Sequence, residues 1–325
     1  MAQGQTARRI MLLGATGTIG RAAAQALVAE GHDVVCFTRA GTAETVLPSA
    51  VTIRTGQVTD PPSLRRDGFK GEPFDVLVSC LASRNGSPED AWAVDYKAHV
   101  AALDAAQEAG VRHMVLLSAV CVQKPRLHFQ HAKLAFEKAL TGSGLIYSIV
   151  RPTAYFKSLS GQIGRLRQGK PYLLFGDGRL TATKPISDGD LAQYLALCIR
   201  DPALQDRILP IGGPGQAFTP REQGEWLFEM LKQKPRFRSL PVPVMDGIVG
   251  VLLMTGAVSR RMRAKAELAR IGRYYATESM LVWDAEAGRY DEAATPSFGS
   301  QTLRDYHQQI IAGAPEPDRG EHRVF

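Results

Sequence analysis

The chain has 325 residues, 45% hydrophobic and 22% charged, the make-up of a globular protein with core enough for one large domain or two interleaved ones; disorder, collagen and coiled coil are disfavoured. Lys and Arg outnumber Asp and Glu 39 to 32, which favours an anionic partner: nucleic acid, anionic lipid, a phosphorylated cofactor or a carboxylate substrate. The sign alone does not choose among them.

In chain order, the opening MAQGQTARRIMLLGATG holds too short an apolar stretch for a secretory signal. Cys36, Cys80, Cys121 and Cys198 lie far apart with no C-x-x-C pair, so we expect buried, unpaired thiols in a reduced, cytoplasmic setting. Apolar runs ending in small residues then alternate with helical segments, the signature of a parallel sheet covered by helices. The expected strands are residues 9–13, 33–38, 51–55, 75–80, 112–118 and 145–151. Between them, a helix over 21–30 stops at Gly31, suited to a left-handed cap. A second starts at Ser87-Pro88-Glu89-Asp90, with a capping hydroxyl, a proline for the first turn and two acids, and should run to about residue 109 before Gly110. A third covers 131–140 and closes at Gly142.

Past Arg151 the alternation loosens, and Gly, Pro and basic residues around 160–185 and 232–243 suggest loops over a substrate region. Residues 247–258 carry no charge and are followed by Arg260, Arg261, Arg263 and Lys265. That run is shorter than the roughly 18 residues a membrane span needs. It reads either as a core helix with a solvated basic end or as a helix lying on an anionic membrane surface. The expected organisation is a nucleotide-binding unit over 1–155, a partly interleaved substrate region over 156–313 and a disordered tail over 314–325.

The strongest motif is GATGTIG, Gly14 to Gly20, between the first strand and the first helix. Gly14 allows a tight turn, Gly17 close approach to a pyrophosphate, and Gly20 close packing of helix on strand. Thr16, Thr18, Ile19 and Arg21 complete the loop, whose amides would face the phosphates. Its spacing resembles the extended or atypical branches of the short-chain dehydrogenase/reductases, which implies a Rossmann-type doubly wound α/β fold. The second strand ends VVCFTR, with Arg39 where an NAD-binding acid would stand, so NADPH is the expected cofactor. A solvated strand-end arginine is the plainer reading. Asp60, after the third strand, resembles the position that contacts adenine, and Leu81, Ala82 and Ser83 should pass beneath the cofactor.

Most members of that superfamily carry Tyr-x-x-x-Lys on one helix face, the ammonium lowering the phenol's pKa and holding the ribose. Here the segment reads FQHAK, with Phe129 in the tyrosine's place and Lys133 retained. Phenylalanine donates no proton, so carbonyl reduction by that mechanism is disfavoured. Ser118 ends the fifth strand at the usual serine position, with a structural role equally open. His131 should lie off the Lys133 face, His113 should begin a strand, and no cluster has metal-ligand spacing, so no metal is expected.

At LLSAVCVQKP, FQHAKLAFEKAL, IVRPTAYFKSLSGQI and, further on, LPIGGPGQAFTPREQGEWLF and YYATESMLVWDAEAGRYDEAATPSFGSQTL, the sequence resembles the NADPH-dependent divinyl (proto)chlorophyllide 8-vinyl reductases of chlorophyll and bacteriochlorophyll synthesis. The resemblance covers nearly the whole chain; the short N-terminus suits a bacterial member rather than a plastid precursor. It implies a tetrapyrrole partner, divinyl chlorophyllide or protochlorophyllide, and no nucleic acid. Hydride delivered to a conjugated vinyl leaves charge the macrocycle can spread, which accounts for the missing tyrosine. Pro152 would border the cofactor, and Tyr155 is the first candidate proton donor, with packing on the pigment its other reading. Tyr155, Phe156 and Phe175 could stack on the macrocycle. Another atypical reductase, of the isoflavone-reductase-like or sugar-nucleotide type, and a non-catalytic NADPH-sensing or assembly protein remain the alternatives.

Overall fold

The computed structural model describes residues 6–41, 45–84, 87–256 and 260–315, so most of the expected tail lies outside the described residues. The apolar runs of the first half become β1 (Arg9–Leu13), β2 (Asp33–Thr38), β3 (Thr52–Thr55), β4 (Val76–Ser79), β5 (His113–Leu117) and β6 (Ile146–Pro152). β7 (Tyr172–Phe175) leaves this sheet and β8 (Arg207–Ile211) rejoins it, giving seven parallel strands in the order β3-β2-β1-β4-β5-β6-β8. Because every strand is parallel, every strand's C-terminal end reaches the same edge. The order reverses between β1 and β4, where a crevice opens.

β1 shows why these sequences are apolar throughout rather than alternating. Ile10 and Leu12 enter one core with α1 (Thr18–Ala29), while Met11 and Leu13 enter the other, and all four are fully buried. A strand covered on both faces has no solvent side to mark with polar residues. β3 leads into α2 (Pro61–Ser63), which continues as a wide-turn helix over Leu64–Phe69.

The helix expected over 87–109 is α3 (Pro88–Ala91), a wide-turn segment Trp92–Ala98 and α4 (His99–Glu108). It starts as expected: Ser87 Oγ accepts from the Asp90 N–H at 3.1 Å. The widened turn in its middle was not legible. α5 (His128–Thr141) begins three residues before the expected 131, because Gln130 Oε1 accepts from the Arg126 and Leu127 N–H groups at 2.7 and 2.9 Å and caps the earlier turn. Phe129 and Lys133 therefore share one helix.

The second half wraps onto this frame. After α6 (Phe156–Leu159) and α7 (Ile163–Arg167), α8 (Asp188–Arg200) packs on α1, so the sheet's cover is completed from the later residues. α9 (Pro220–Met230) is opened by a reciprocal Thr219–Glu222 cap. The stretches expected as loops, 160–185 and 232–243, instead hold β7 and β9 (Phe237–Leu240), paired in parallel over a core that includes Leu166, Leu227 and Phe228. Short strands among Gly, Pro and Arg give little period to read. α10 (Val242–Gly256) and α11 (Arg260–Thr277) pack against each other, with Asp246 ion-paired to Arg273. The hairpin of β10 (Val282–Asp284) and β11 (Arg289–Asp291) and helix α12 (Leu303–Ile311) complete the chain. Gln123 binds β10 through Leu281 O at 2.6 Å and the Trp283 N–H at 2.8 Å. The segment after β5 is thereby fixed by the C-terminal residues. The four cysteines are free.

Candidate active site

The glycine loop answers a steric question at each position. Gly14 has φ of +75°, and a Cβ there would lie 2.6 Å from the Cys80 carbonyl carbon, where the chain leaves β4. A Cβ on Gly20 would lie 2.1 Å from Gly14 O. Both are demanded by the protein itself. Gly17 is not: its backbone is extended and a Cβ would meet only Gly14 O, at 3.3 Å. Gly17 caps α1 without a side-chain hydrogen bond and is exposed, which leaves room and unpaired amides for a phosphate. Thr16, Thr18 and Arg21 flank it half-buried, and Ile19 turns into the core.

A residue missed in the sequence completes this end. Lys157 reaches back from the segment after β6 to donate to Thr18 Oγ1 at 2.9 Å, placing an ammonium beside the α1 N-terminus. Asp188, at the start of α8, faces Lys157 and Arg21; burial pushes its carboxyl above the usual range while those two cations pull it down. Its Oδ1 is buried without a hydrogen-bond partner. Open space at Gly17, a free helix end and two cations fit a pyrophosphate. Arg39 at the end of β2 and Asp60 before α2 are exposed on the same sheet edge.

The widened segment Trp92–Ala98 carries the next pair. Lys133 Nζ lies 3.1 Å from Asp95 Oδ1, with Asp95 fully buried and Lys133 nearly so. Asp95 Oδ1 also accepts from the Ser83 N–H at 3.4 Å. Four residues on, His99 Nδ1 is 2.9 Å from Val94 O and its Nε2 is 2.8 Å from Ser79 Oγ. Burial, with Lys133 nearby, lowers the His99 pKa to about 4. The neutral ring donates to Val94 O and accepts from Ser79, whose oxygen in turn accepts from the Leu81 N–H at 3.4 Å. One helix thus holds both the strip Leu81, Ala82, Ser83 and the Lys133 ammonium. The sequence's only trace of this was polar residues on a face that should be apolar.

Two expected residues fall elsewhere. Ser118 Oγ donates to Glu137 Oε1 at 2.5 Å, and Glu137 is paired with Arg151, so the hydroxyl's proton is committed to a buried network joining β5, α5 and β6. That contact supports the structural reading of Ser118. Phe156 is 2% exposed and packs on Tyr306, so its ring is not open for stacking. Phe175 does face an apolar groove of about 310 Å³ between α10 and α11, lined also by Ile248, Leu268 and Gly272. Pro152 is buried at the end of β6, and Tyr155 follows half-buried. Burial, and after it Cys80 and Asp188, push the Tyr155 phenol upward. His131 is exposed and His113 is buried, 3.1 Å from Ser148 Oγ. Among the described residues no group of three or more His, Cys, Asp or Glu is placed to hold a metal.

A glycine loop at the switch point of a parallel sheet, backed by cations, defines a dinucleotide-binding protein. The family described as NAD(P)H-binding matches residues 14–202, and the chain belongs to it. The likeness continues beyond that half. The chloroplastic divinyl chlorophyllide a 8-vinyl-reductase of Oryza sativa subsp. indica is 46% identical over 97% of this chain and 82% of its own length. That of Arabidopsis thaliana is 43% identical over 93% of this chain and 76% of its own. The chain belongs to the divinyl chlorophyllide a 8-vinyl-reductase family. Among solved structures, an NADPH-dependent quinone oxidoreductase of Escherichia coli, complexed with NADPH, superposes with a TM-score of 0.69 at 17% identity, over 93% of this chain and 99% of the other, a likeness of fold alone.

Proposed function

We propose that this chain reduces the 8-vinyl group of divinyl chlorophyllide or protochlorophyllide to ethyl with NADPH. The observation that carries the reading is identity of 43 to 46% sustained over 93 to 97% of the chain, through the substrate side as well as the nucleotide side. When bound, NADPH supplies the hydride. The protein's own residues bind and aim. Gly17, Thr18, Arg21 and Lys157 hold the pyrophosphate, and Arg39, with no acid beside it in sequence, favours the 2′-phosphate. Lys133, fixed by Asp95, anchors the nicotinamide ribose, and Phe129 leaves the position four residues before it with no proton to offer.

Tyr155 and Phe175 offer ring faces to a macrocycle, Phe175 from the groove along α11. The outer side of α10 bears Val251 and Met254, 63% and 77% exposed, and the basic residues Arg263 and Lys265 are exposed on α11. That pairing suits peripheral contact with an anionic membrane. No helix among the described residues is long and apolar enough to cross one. Incubation with NADPH and divinyl chlorophyllide should shift the Soret band to that of the monovinyl pigment. An unshifted band with bound NADPH would refute the reading.

A further inference from the structure

Resting on the vinyl-reductase reading, we infer that Tyr275 on α11 is the phenol that serves this site in place of the one absent at Phe129. The α5 face that would carry it is closed: Phe129 packs into an apolar cluster with Cys121, Ile271 and Tyr274. The same cluster brings another phenol in from the opposite side. Tyr275 Oη stands 3.8 Å from Cys121 Sγ, either atom able to donate. Cys121 belongs to the turn just after β5, at the sheet edge where the strands' C-terminal ends meet the crevice, and Lys133 is close enough to act on it electrostatically. Tyr155, at the end of β6, likewise interacts with Tyr275. Phenols from two elements therefore approach the turn after β5, on the side of α5 that carries Phe129.

Tyr275 does not hang loose there. Its neighbour Tyr274 donates to Cys121 O at 2.9 Å and lies 3.0 Å from Lys124 O, pinning α11 to the turn after β5. Arg270 adds a bond to Arg126 O at 3.0 Å. Leu268 and Gly272, which line the apolar groove, lie seven and three residues earlier on the same side of α11, so the groove leads along the helix toward Tyr275. The residue is 42% exposed although burial at its hydroxyl end pushes the phenol's pKa well up. A ring partly open and a hydroxyl turned inward is what the wall of a pocket presents, and the phenol stays protonated throughout the neutral range.

The step balances. After hydride addition to the terminal vinyl carbon, the electron pair left on the pigment takes the Tyr275 proton at the inner carbon; the O–H bond breaks, a C–H bond forms, and the phenolate regains its proton from water once product leaves.

Three proteins test this: the unmodified chain, Tyr275→Phe and Tyr275→Ala, each checked for a native circular-dichroism melt. Tyr275→Phe should lower single-turnover reduction by about 100-fold, the low end for a general acid. Its affinity for divinyl chlorophyllide, measured by fluorescence without NADPH, should stay within about twofold, while Tyr275→Ala should weaken it by about tenfold. An active unmodified chain with an equally fast Tyr275→Phe overturns the proton-donor role alone. Unchanged pigment affinity in Tyr275→Ala overturns the contact. An unmodified chain that binds NADPH and leaves the vinyl group intact overturns the reading beneath both.

Discussion

The seven-stranded sheet and the α10–α11 pair place apolar residues under opposite rules. In the sheet, Ile10, Met11, Leu12 and Leu13 are wholly buried; on α10, Val244, Ile248, Val251, Leu253 and Met254 are each about half exposed or more. The sheet's sequence satisfies the chain's own packing. The sequence of α10 is satisfied only in part by α11, and the exposed remainder is the face proposed above for contact with a membrane. Substitutions in the first region should therefore be felt as lost stability, and in the second as lost contact with a partner.

The sharpest form of that contrast lies within one loop. Gly20→Ala should abolish folding, because its Cβ would overlap Gly14 O and neither backbone can yield. Gly17→Ala should melt near the unmodified protein yet lose NADPH binding by at least about tenfold, seen by calorimetry. Equal melting of the two variants would erase the distinction between glycines the fold needs and the glycine the ligand needs.

Acid should test the buried histidines next. Burial lowers His99, His113 and His307 from 6.5 to about 4. Unfolded, these imidazoles take up protons near pH 6.5; folded, they resist until about 4, so folding expels protons. Their contribution is fully present above 6.5 and is lost as the pH falls toward 4, at up to about 1.4 kcal/mol per pH unit for each. Urea melts between pH 7 and 4.5 should show this slope, and His99→Gln should remove about a third of it. A flat profile would mean that these rings are not buried neutral.

Lys133 separates stability from chemistry at a single contact. Lys133→Ala leaves the buried Asp95 carboxylate without its cation and should cost about 3 kcal/mol, besides lowering turnover about 100-fold through loss of cofactor positioning. Adding Asp95→Asn should restore most of the stability and none of the turnover. Recovery of both would reduce Lys133 to a packing residue.

What was legible follows the same division. The glycine loop, the strands at 9–13 and 33–38 and the Ser87 cap could be read because local chemistry there agrees with the fold. Lys157, Asp95 and Tyr275 could not. Each acts across more than 30 residues of sequence, on Thr18, Lys133 and Cys121 respectively, and such meetings depend on the order of strands, which no local period records. The widened turn at Trp92–Ala98 is of the same kind: it brings Asp95 and His99 onto their partners and leaves no mark in spacing. Ser118 stayed between two roles because a hydroxyl at the right strand end says nothing about a glutamate 19 residues away that claims its proton. Phe156 was misread because adjacency to Tyr155 does not give two residues the same side of the chain.

Cofactor choice should move affinity without moving stability. Arg39→Asp removes the cation proposed for the 2′-phosphate and supplies an acid for ribose hydroxyls. The preference for NADPH over NADH should fall by about tenfold or more, the worth of one charge-assisted hydrogen bond, with an unchanged melting temperature because Arg39 is exposed. Equal affinities in the unmodified protein would remove Arg39 from the site.

The smallest effect on stability is expected where the contrast is greatest. Met254 is 77% exposed, so Met254→Asp removes almost no buried area and should change the urea midpoint by less than about 0.5 kcal/mol equivalent. If the outer side of α10 rests on an anionic bilayer, the same change withdraws an apolar anchor and adds repulsion from the lipid charge, so co-sedimentation with vesicles rich in anionic lipid should drop several-fold. Salt and a neutral vesicle divide the two contributions: 0.5 M salt should weaken the part owed to basic residues such as Arg263 and Lys265 and spare the apolar part. Binding that ignores both Met254→Asp and salt would take the membrane away from α10. A loss of stability from Met254→Asp would show instead that this face is covered within the protein, and would break the comparison with the sheet.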